Sequence, residues 1–474
     1  MLPTDIATSQ QLSIGARLAV SRAATDTATS PAAGFRRWFA EYARTRHYRV
    51  LRAPLNGLPG WSFQPGTGDL VHESGRFFSV TGLRVGTDFG GAREWRQPII
   101  SQPEVGMLGL LLKDFDGVLH CLVQAKMEPG NVNSLQLSPT VQATRSNYTG
   151  AHHGRAVPYL EYFTGPGRGT VVADSLQSEQ GWWFLHKRNR NMVVETEREV
   201  PLVDGFRWLT LGQLGALLRR DHLVNMDTRT VLATLPGADS EDVREAGPTL
   251  AGRVRGALDQ DAPLPLPDVL SRLTDARFRY QLLQERIPLD EVLGDGWHRS
   301  PDVVSRTDGR HFSVLGVTVE AEEREVARWA QPLLAPAPGL AGLLVRRVGG
   351  VPQVLLHTRV EAGCLNVAEF APTVQCAALP SPDRAPGARH PFVDRLLSAP
   401  PEHTLYDTLL SEEGGRFHHA VTRYLIVEVS DDHRAAVPED YCWVTLPQAR
   451  ALIGYGNTVN VQARTLLACL MWAR

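Results

Sequence analysis

Two short apolar runs, 108–112 and 118–123, flank the polar segment Lys113-Asp114-Phe115-Asp116-Gly117. An Asp-Gly between two such runs predicts a β-hairpin, since that pair tolerates the positive φ a tight hairpin turn requires. After the hairpin the pattern turns polar. Lys126, Glu128, Asn131, Asn133, Gln136, Gln142, Arg145, Asn147 and Tyr148 fall within a short span punctuated by Pro129-Gly130 and Ser138-Pro139. So many donors and acceptors beside a buried sheet predict a site for a highly oxygenated ligand.

The same pattern returns over 339–375. Gly106, Gly117, Glu128, Gly130, Asn133 and Pro139-Thr140-Val141-Gln142 map onto Gly339, Gly350, Glu361, Gly363, Asn366 and Pro372-Thr373-Val374-Gln375. The spacing of about 233 residues needs no gap, the signature of an internal duplication. Other pairs fit it: the alternating runs 77–85 and 312–319 read as strands, and Trp95-Arg96-Gln97-Pro98 matches Trp329-Ala330-Gln331-Pro332. Residues 157–163 pair with 391–396. Strand regions are expected over 182–195 and 416–428, and closing helical regions over 208–229 and 443–464.

Phe35, Trp38, Phe39 and Tyr42 recur at helical spacing with Arg36, Arg37 and Arg44 between them, which predicts an amphipathic helix with its aromatic stripe in the core. Trp61, in Pro59-Gly60-Trp61, is echoed by Trp297 in Gly296-Trp297-His298. A loop Trp kept in both copies reads either as a structural plug or as a stacking face for a base. The domain organisation expected is a disordered start over 1–34, a first repeat over 35–235, a linker over 236–266 and a second repeat over 267–474.

The chain has 474 residues, 43% hydrophobic and 21% charged, enough for two domains with real cores. A net charge of -2 gives no electrostatic case for nucleic acid or an anionic membrane. The five cysteines, Cys121, Cys364, Cys376, Cys442 and Cys469, have no C-x-x-C spacing, so neither zinc nor a disulfide framework is indicated. A soluble, cytoplasmic protein is expected, with no apolar stretch of membrane-spanning length. Basic residues are nearly all Arg; the lysines are Lys113, Lys126 and Lys187.

The run KMEPGNVNSLQLSPTVQATRSNY, preceded by GRFFSVTGLRV and WRQPII, resembles the NDP-hexose 2,3-dehydratase family of deoxysugar biosynthesis, over nearly the whole chain from about residue 35. The resemblance implies an α+β fold: a tandem duplication of two Nudix-like α/β/α domains with mixed sheets. It also implies a dTDP-linked 4-keto-6-deoxyhexose substrate in natural-product (antibiotic) pathways, a downstream 3-ketoreductase taking the product, and a homodimer. Two alternatives stand beside it: a Nudix-type nucleotide-sugar hydrolase, and a metal-independent nucleotide-sugar-binding protein.

Hydrolysis by a Nudix enzyme needs a helix of carboxylates, G-x5-E-x7-R-E-U-x-E-E, to hold divalent metals. The pairs Arg198-Glu199, Arg244-Glu245 and Arg324-Glu325 lack the flanking Glu residues, and Thr144-Arg145-Ser146-Asn147-Tyr148 stands where the box would follow the hairpin. Asp114 and Asp116 read as turn residues rather than metal ligands, since their copies are Arg347 and Gly349. Gly165-Pro166-Gly167-Arg168-Gly169 reads as a turn, without the strand and helix of a dinucleotide loop. No cofactor and no metal are therefore expected. A cradle without hydrolytic machinery suits elimination beside a ketone, which needs a base for C3–H, donors at the C4 oxygen and an acid for the C2 hydroxyl.

The candidate catalytic residues are Tyr148, Lys126 and Glu128, with Arg145 as electrophile or diphosphate clamp. Glu128, retained as Glu361, is equally suited to a structural role, and His152-His153 is a further candidate, though His residues after a Gly in a polar loop are more often solvated than catalytic. Candidate substrate contacts are Trp61, Gln142, Thr144, Arg145, Ser146, Asn147 and Tyr148, and in the second copy Trp297, Arg359, Thr373, Val374 and Gln375. Past Gln375 the second copy reads Ala377, Ala378, Leu379, Pro380 and Ser381, without the long polar side chains, so only the first copy is expected to be catalytic.

Overall fold

The computed structural model describes residues 12–144, 156–237, 259, 261–309, 311–322, 327–376, 391–430 and 437–473. It is α+β with mixed sheets and two similar halves. The hairpin forms as the sequence predicts, between Gly106–Phe115 and Val118–Met127. Its turn residues Asp116 and Gly117 have φ of 52° and 82°, and Gly349 and Gly350 of the copy 57° and 86°. Both central residues with φ > 0 is the turn whose twist matches the strands, so two sequences with different side chains make the same corner. Asp114 caps it, accepting from the Gly117 N–H at 2.8 Å.

Each half centres on a seven-stranded mixed sheet. In the first, Arg188–Glu195 runs parallel to Gly106–Phe115; in the second, Val421–Glu428 runs parallel to Gly339–Val348. One face of each sheet is covered by its own short helical segment, Leu160–Tyr162 or Val393–Leu397. On the other face the closing helices of both halves, Leu211–Leu218, Met226–Leu232, Leu446–Gly454 and Val461–Trp472, merge in one apolar core. Capping boxes at Thr210/Gln213 and Thr445/Gln448 start the first helix of each pair, and Asn225 and Asn460 cap the second.

The halves are more entangled than a duplication implies. Tyr48–Ala53 pairs antiparallel with Phe312–Ala321 of the second half, and Leu282–Ile287 pairs with Ser79–Thr87 of the first. The leading strand of each half thus completes the other's smaller sheet. Alternating sequence predicts a strand and its buried face but not which edge receives it, so this exchange is invisible in the pattern.

Two buried arginines repeat the theme. Arg229 donates to the carbonyls of Val224 and, across the halves, Ser411; Arg464 donates to those of Val459 and Ser178. Each satisfies backbone acceptors that would otherwise be orphaned at the junction.

Two segments depart from expectation. Within 1–34 a helix, Ile14–Ala23, packs on the first sheet: Leu18 is buried, and Arg17 bridges Glu195 and Asp114 at 2.5 and 3.1 Å. The strand expected over 182–195 is continuous only from Arg188, after a turn at 180–183 and the two-residue strand Phe184–Leu185. The aromatic helix spans Ala32–Thr45 with Phe35 buried and Trp38 and Phe39 packed against the core.

Candidate active site

A cavity of about 550 Å³ opens against the first large sheet. Its wall includes Gly106, Leu108, Lys126, Glu128, Gln142 and Thr144 from the stretch singled out by sequence. Around that stretch gather Trp61, Glu104, Glu179, Lys187, Asn189 and Asp227 of the same half, and Trp329, Gln331, Glu413, Gly415 and Arg416 of the other. The site is therefore composite, and two of the chain's three lysines line it.

A chain of amides fixes its floor. Asn225 Nδ2 donates to Gln142 Oε1 at 3.0 Å, and Gln142 Nε2 donates to Glu128 Oε1 at 2.8 Å. Lys126 Nζ donates to the Gln142 carbonyl at 3.1 Å and lies 3.9 Å from Glu128. The second half repeats the chain as Asn460 to Gln375 to Glu361, at 2.8 and 2.7 Å. Because the whole chain is kept in both halves, it first of all satisfies buried polar groups.

The counterpart pocket is nearly closed, at about 30 Å³. Trp182 and Trp183 line it where Gly415 and Arg416 line the open cavity. Trp182 packs against Trp95 with ring centres 6.0 Å apart, and Arg359 lies 5.9 Å above the Trp182 ring while bonding Glu361. With Gly415 in place of an indole, the opposite site keeps its volume.

The chemistry differs as much as the volume. Glu128 and Glu179 of the open cavity have counterparts in Glu361 and Glu412, whereas Lys187, Asp227, Glu413 and Arg416 are replaced by Ala420, Gln462, Gln180 and Trp183. Burial, reinforced by Glu128 and Glu179 and opposed by Arg416, pushes the Glu413 carboxyl up to about 7. Burial also raises Asp227 well above the usual carboxyl range, with Glu179, Glu413 and Glu128 adding to it. Lys187 is lowered by burial to about 8 against the pull of Glu179, and its Nζ donates to the Glu104 carbonyl. Such displaced values are where proton-transfer groups are found.

The sequence-derived residues distribute unevenly. Lys126, Glu128, Gln142, Thr144 and Trp61 line the cavity. Trp61 is also a structural plug, buried and donating from its indole to the Ala330 carbonyl at 2.8 Å. Trp297 makes the equivalent bond to the Arg96 carbonyl at 3.2 Å and sits in a core cluster, away from both pockets. Thr373 and Val374 are buried: Thr373 donates to the Leu355 carbonyl and accepts from Leu344 N–H, as Thr140 does with Leu122 and Leu111. Gln375 lines the small pocket. Arg145, Ser146, Asn147, Tyr148 and His152-His153 lie outside the described residues. Sequence reasoning passed over Glu179, Asp227, Glu413 and Arg416. For Asp227, Glu413 and Arg416 the signal was the non-matching positions between the two copies, which a search for matches discards; Glu179 matches Glu412 and lay outside the stretch singled out.

Among the described residues, no three His, Cys, Asp or Glu side chains are grouped to hold a metal ion, and no helix is long and apolar enough to cross a membrane.

Comparison with known proteins agrees with this duplicated architecture. A family model described as NDP-hexose 2,3-dehydratase matches residues 32–235 and again 266–470. A relative from Saccharopolyspora spinosa, named dTDP-4-dehydro-6-deoxy-alpha-D-glucopyranose 2,3-dehydratase, is 48% identical, covering 94% of this chain and 92% of its own. Relatives of the same name from Streptomyces violaceoruber and Amycolatopsis orientalis are 49% and 46% identical, covering 92% and 96% of this chain and 96% and 93% of theirs. A solved ADP compounds hydrolase aligns with 36% of this chain and 88% of its own at 16% identity and a TM-score of 0.24, too low to bear on the fold.

Proposed function

The chain belongs to the NDP-hexose 2,3-dehydratase family, and we propose that its open cavity is where a dTDP-linked 4-keto-6-deoxyhexose loses its C2 hydroxyl. The observation that carries this reading is the contrast between the pockets: one copy of a duplicated site stays open and collects ionisable groups, while the other is filled by tryptophans. A cavity of that size accommodates a ligand as large as a nucleotide sugar.

The reaction follows from the ketone. The C4 carbonyl acidifies C3–H; a base removes that proton, donors hold the charge that develops on the C4 oxygen, and C2–O breaks as its hydroxyl accepts a proton and leaves as water. The resulting enol returns its hydroxyl proton to solvent and gains one at C2, giving the 3,4-diketo-2,6-dideoxy sugar. C3 is oxidised as C2 is reduced, so no external redox partner enters the balance. The base is sought among Tyr148, Lys126 and Glu128, and Arg145 is placed as diphosphate clamp or electrophile.

The finer architecture proposed is a pair of Nudix-like domains that kept the diphosphate cradle and lost the metal helix. The protein is further proposed to act in the cytoplasm as a homodimer that passes its labile product to a 3-ketoreductase. Purified protein incubated with dTDP-4-keto-6-deoxyglucose, with the product trapped by such a reductase, should yield a 2,6-dideoxy sugar nucleotide; unchanged substrate, or release of dTMP, would refute the reading.

A further inference from the structure

Resting on that reading, we infer that Glu413, supplied by the second half, is the acid that protonates the departing C2 hydroxyl in the first half's cavity. The inference starts from the two carboxylates that converge on Gly415. A methyl placed on that glycine would lie 2.5 Å from Glu413 Oε1 and 3.7 Å from Glu128 Oε1. The two are held differently. Glu128 accepts from Gln142 at 2.8 Å and has Lys126 beside it, whereas Glu413 Oε2 is buried with no hydrogen-bond partner among the described residues. A buried carboxyl oxygen without a protein partner, on the wall of an open cavity, is free to meet a ligand, as are Glu179 Oε2 and Asp227 Oδ1 beside it.

The copies say which carboxylates carry chemistry. Glu128 and Glu179 persist in the second half as Glu361, buried and tied to Gln375 and Arg359, and Glu412, on the wall of the small pocket and accepting from Gln180 and Tyr424. Those positions are structural in a site with no room for substrate. Glu413 is replaced there by Gln180, an amide of almost the same shape that keeps the packing and cannot deliver a proton.

Two neighbouring carboxylates cannot both ionise cheaply, so the one without fixed donors retains its proton. The upward displacement of Glu413 to about 7 by burial and its neighbours fits that division. An acid of this kind gives its proton to the C2 oxygen as C2–O breaks, leaves water in the cavity, and is reset from solvent. The backbone holds it in place: Gly130 N–H donates to the Gly414 carbonyl at 2.8 Å, and Phe417 N–H to the Glu413 carbonyl at 3.0 Å. The second half is thus retained because its turn completes the first half's site.

The test separates proton removal from loss of hydroxyl. With dTDP-4-keto-6-deoxyglucose in D₂O, E413Q should dehydrate on the order of 10² more slowly, as loss of one general acid does, while still washing deuterium into C3. E412Q changes the adjacent carboxylate, which faces the small pocket, and should dehydrate within a few-fold of wild type. If E413Q melts below the assay temperature, E413D carries the same test: dehydration lowered at least about ten-fold, with C3 exchange kept. Dehydration by E413Q, or by E413D in its place, close to the wild-type rate overturns the inference alone, as does loss of C3 exchange in step with dehydration. A wild-type protein that forms no diketo sugar overturns the functional reading and this inference with it.

Discussion

The Gly130 N–H donates to the carbonyl of Gly414 at 2.8 Å, and Gly363 does the same to Gly181 at 2.6 Å. Each glycine lies at the tip of the loop after its half's long hairpin and is pressed into a turn of the other half. A Cβ on Gly130 would sit 1.7 Å from the Phe417 carbonyl oxygen, and one on Gly363 2.0 Å from that of Phe184. The glycines of this motif therefore mark a contact between backbones. Gly130→Ala and Gly363→Ala should each destabilise the protein by about 1–3 kcal/mol or more, the range for forcing extra atoms into a packed site. Gly454→Ala, in open space at a helix end, should be neutral or slightly stabilising. Urea midpoints of the three variants check this; unchanged midpoints for the first two would mean that the contact is loose.

The exchanged strands make a second prediction. Without the second half, the sheet containing Ser79–Thr87 lacks Leu282–Ile287, and the core under the helices loses its partner. A fragment of residues 12–237 should therefore show no cooperative melt alone, and co-expression with a fragment of residues 259–473 should restore one. A fragment that melts cooperatively by itself would make the exchange incidental.

Stability should also report the strained carboxyl. A Glu raised from 4.5 to about 7 binds more protons folded than unfolded across that window, so its contribution to stability falls as pH rises through it. Glu413→Gln removes a charge that the fold tolerates poorly. The variant should melt higher than wild type at pH 8, and the difference should shrink toward pH 5, where the folded wild type carries a neutral carboxyl in place of the variant's amide. Equal melting temperatures at both values would argue that Glu413 is well solvated.

How much of this could be read in the sequence depends on the range of the interactions. The hairpin turn was legible because Asp116-Gly117 and Gly349-Gly350 carry their geometry locally. The duplication was legible because register survives in the chain. The cavity was only half legible: Lys126, Glu128, Gln142 and Thr144 lie in one stretch, but Glu413 and Arg416 reach it from the second half of the chain, across a swap that no periodicity encodes. Trp297 resembled Trp61 and yet packs away from both pockets, since a Trp matched between copies reports a shared core.

The lack of a carboxylate helix predicts how the reaction responds to metal removal. Dehydration should survive EDTA and need no added nicotinamide, because the elimination balances within the substrate and the wall offers side-chain acids and cations. Activity lost to EDTA and restored by Mg²⁺ or Mn²⁺ would reveal a working metal site.

Catalysis should be confined to the first copy. Its pocket has room and carries Lys126, Lys187, Asp227 and Glu413; the second is filled by Trp182 and Trp183, with Arg359 engaged by Glu361. Removing the Tyr148 hydroxyl or the Arg145 guanidinium should lower turnover by on the order of 10² or more, as loss of an acid-base or charge-stabilising group does. Arg359→Lys should stay within a few-fold. Gln375→Ala breaks hydrogen bonds with Glu361 and Asn460, so it should lower the melting temperature while leaving turnover per folded molecule nearly intact. Steady-state rates corrected for the folded fraction distinguish these cases. Dead Arg359 and Gln375 variants beside active Arg145 and Tyr148 variants would reverse the assignment of the two pockets.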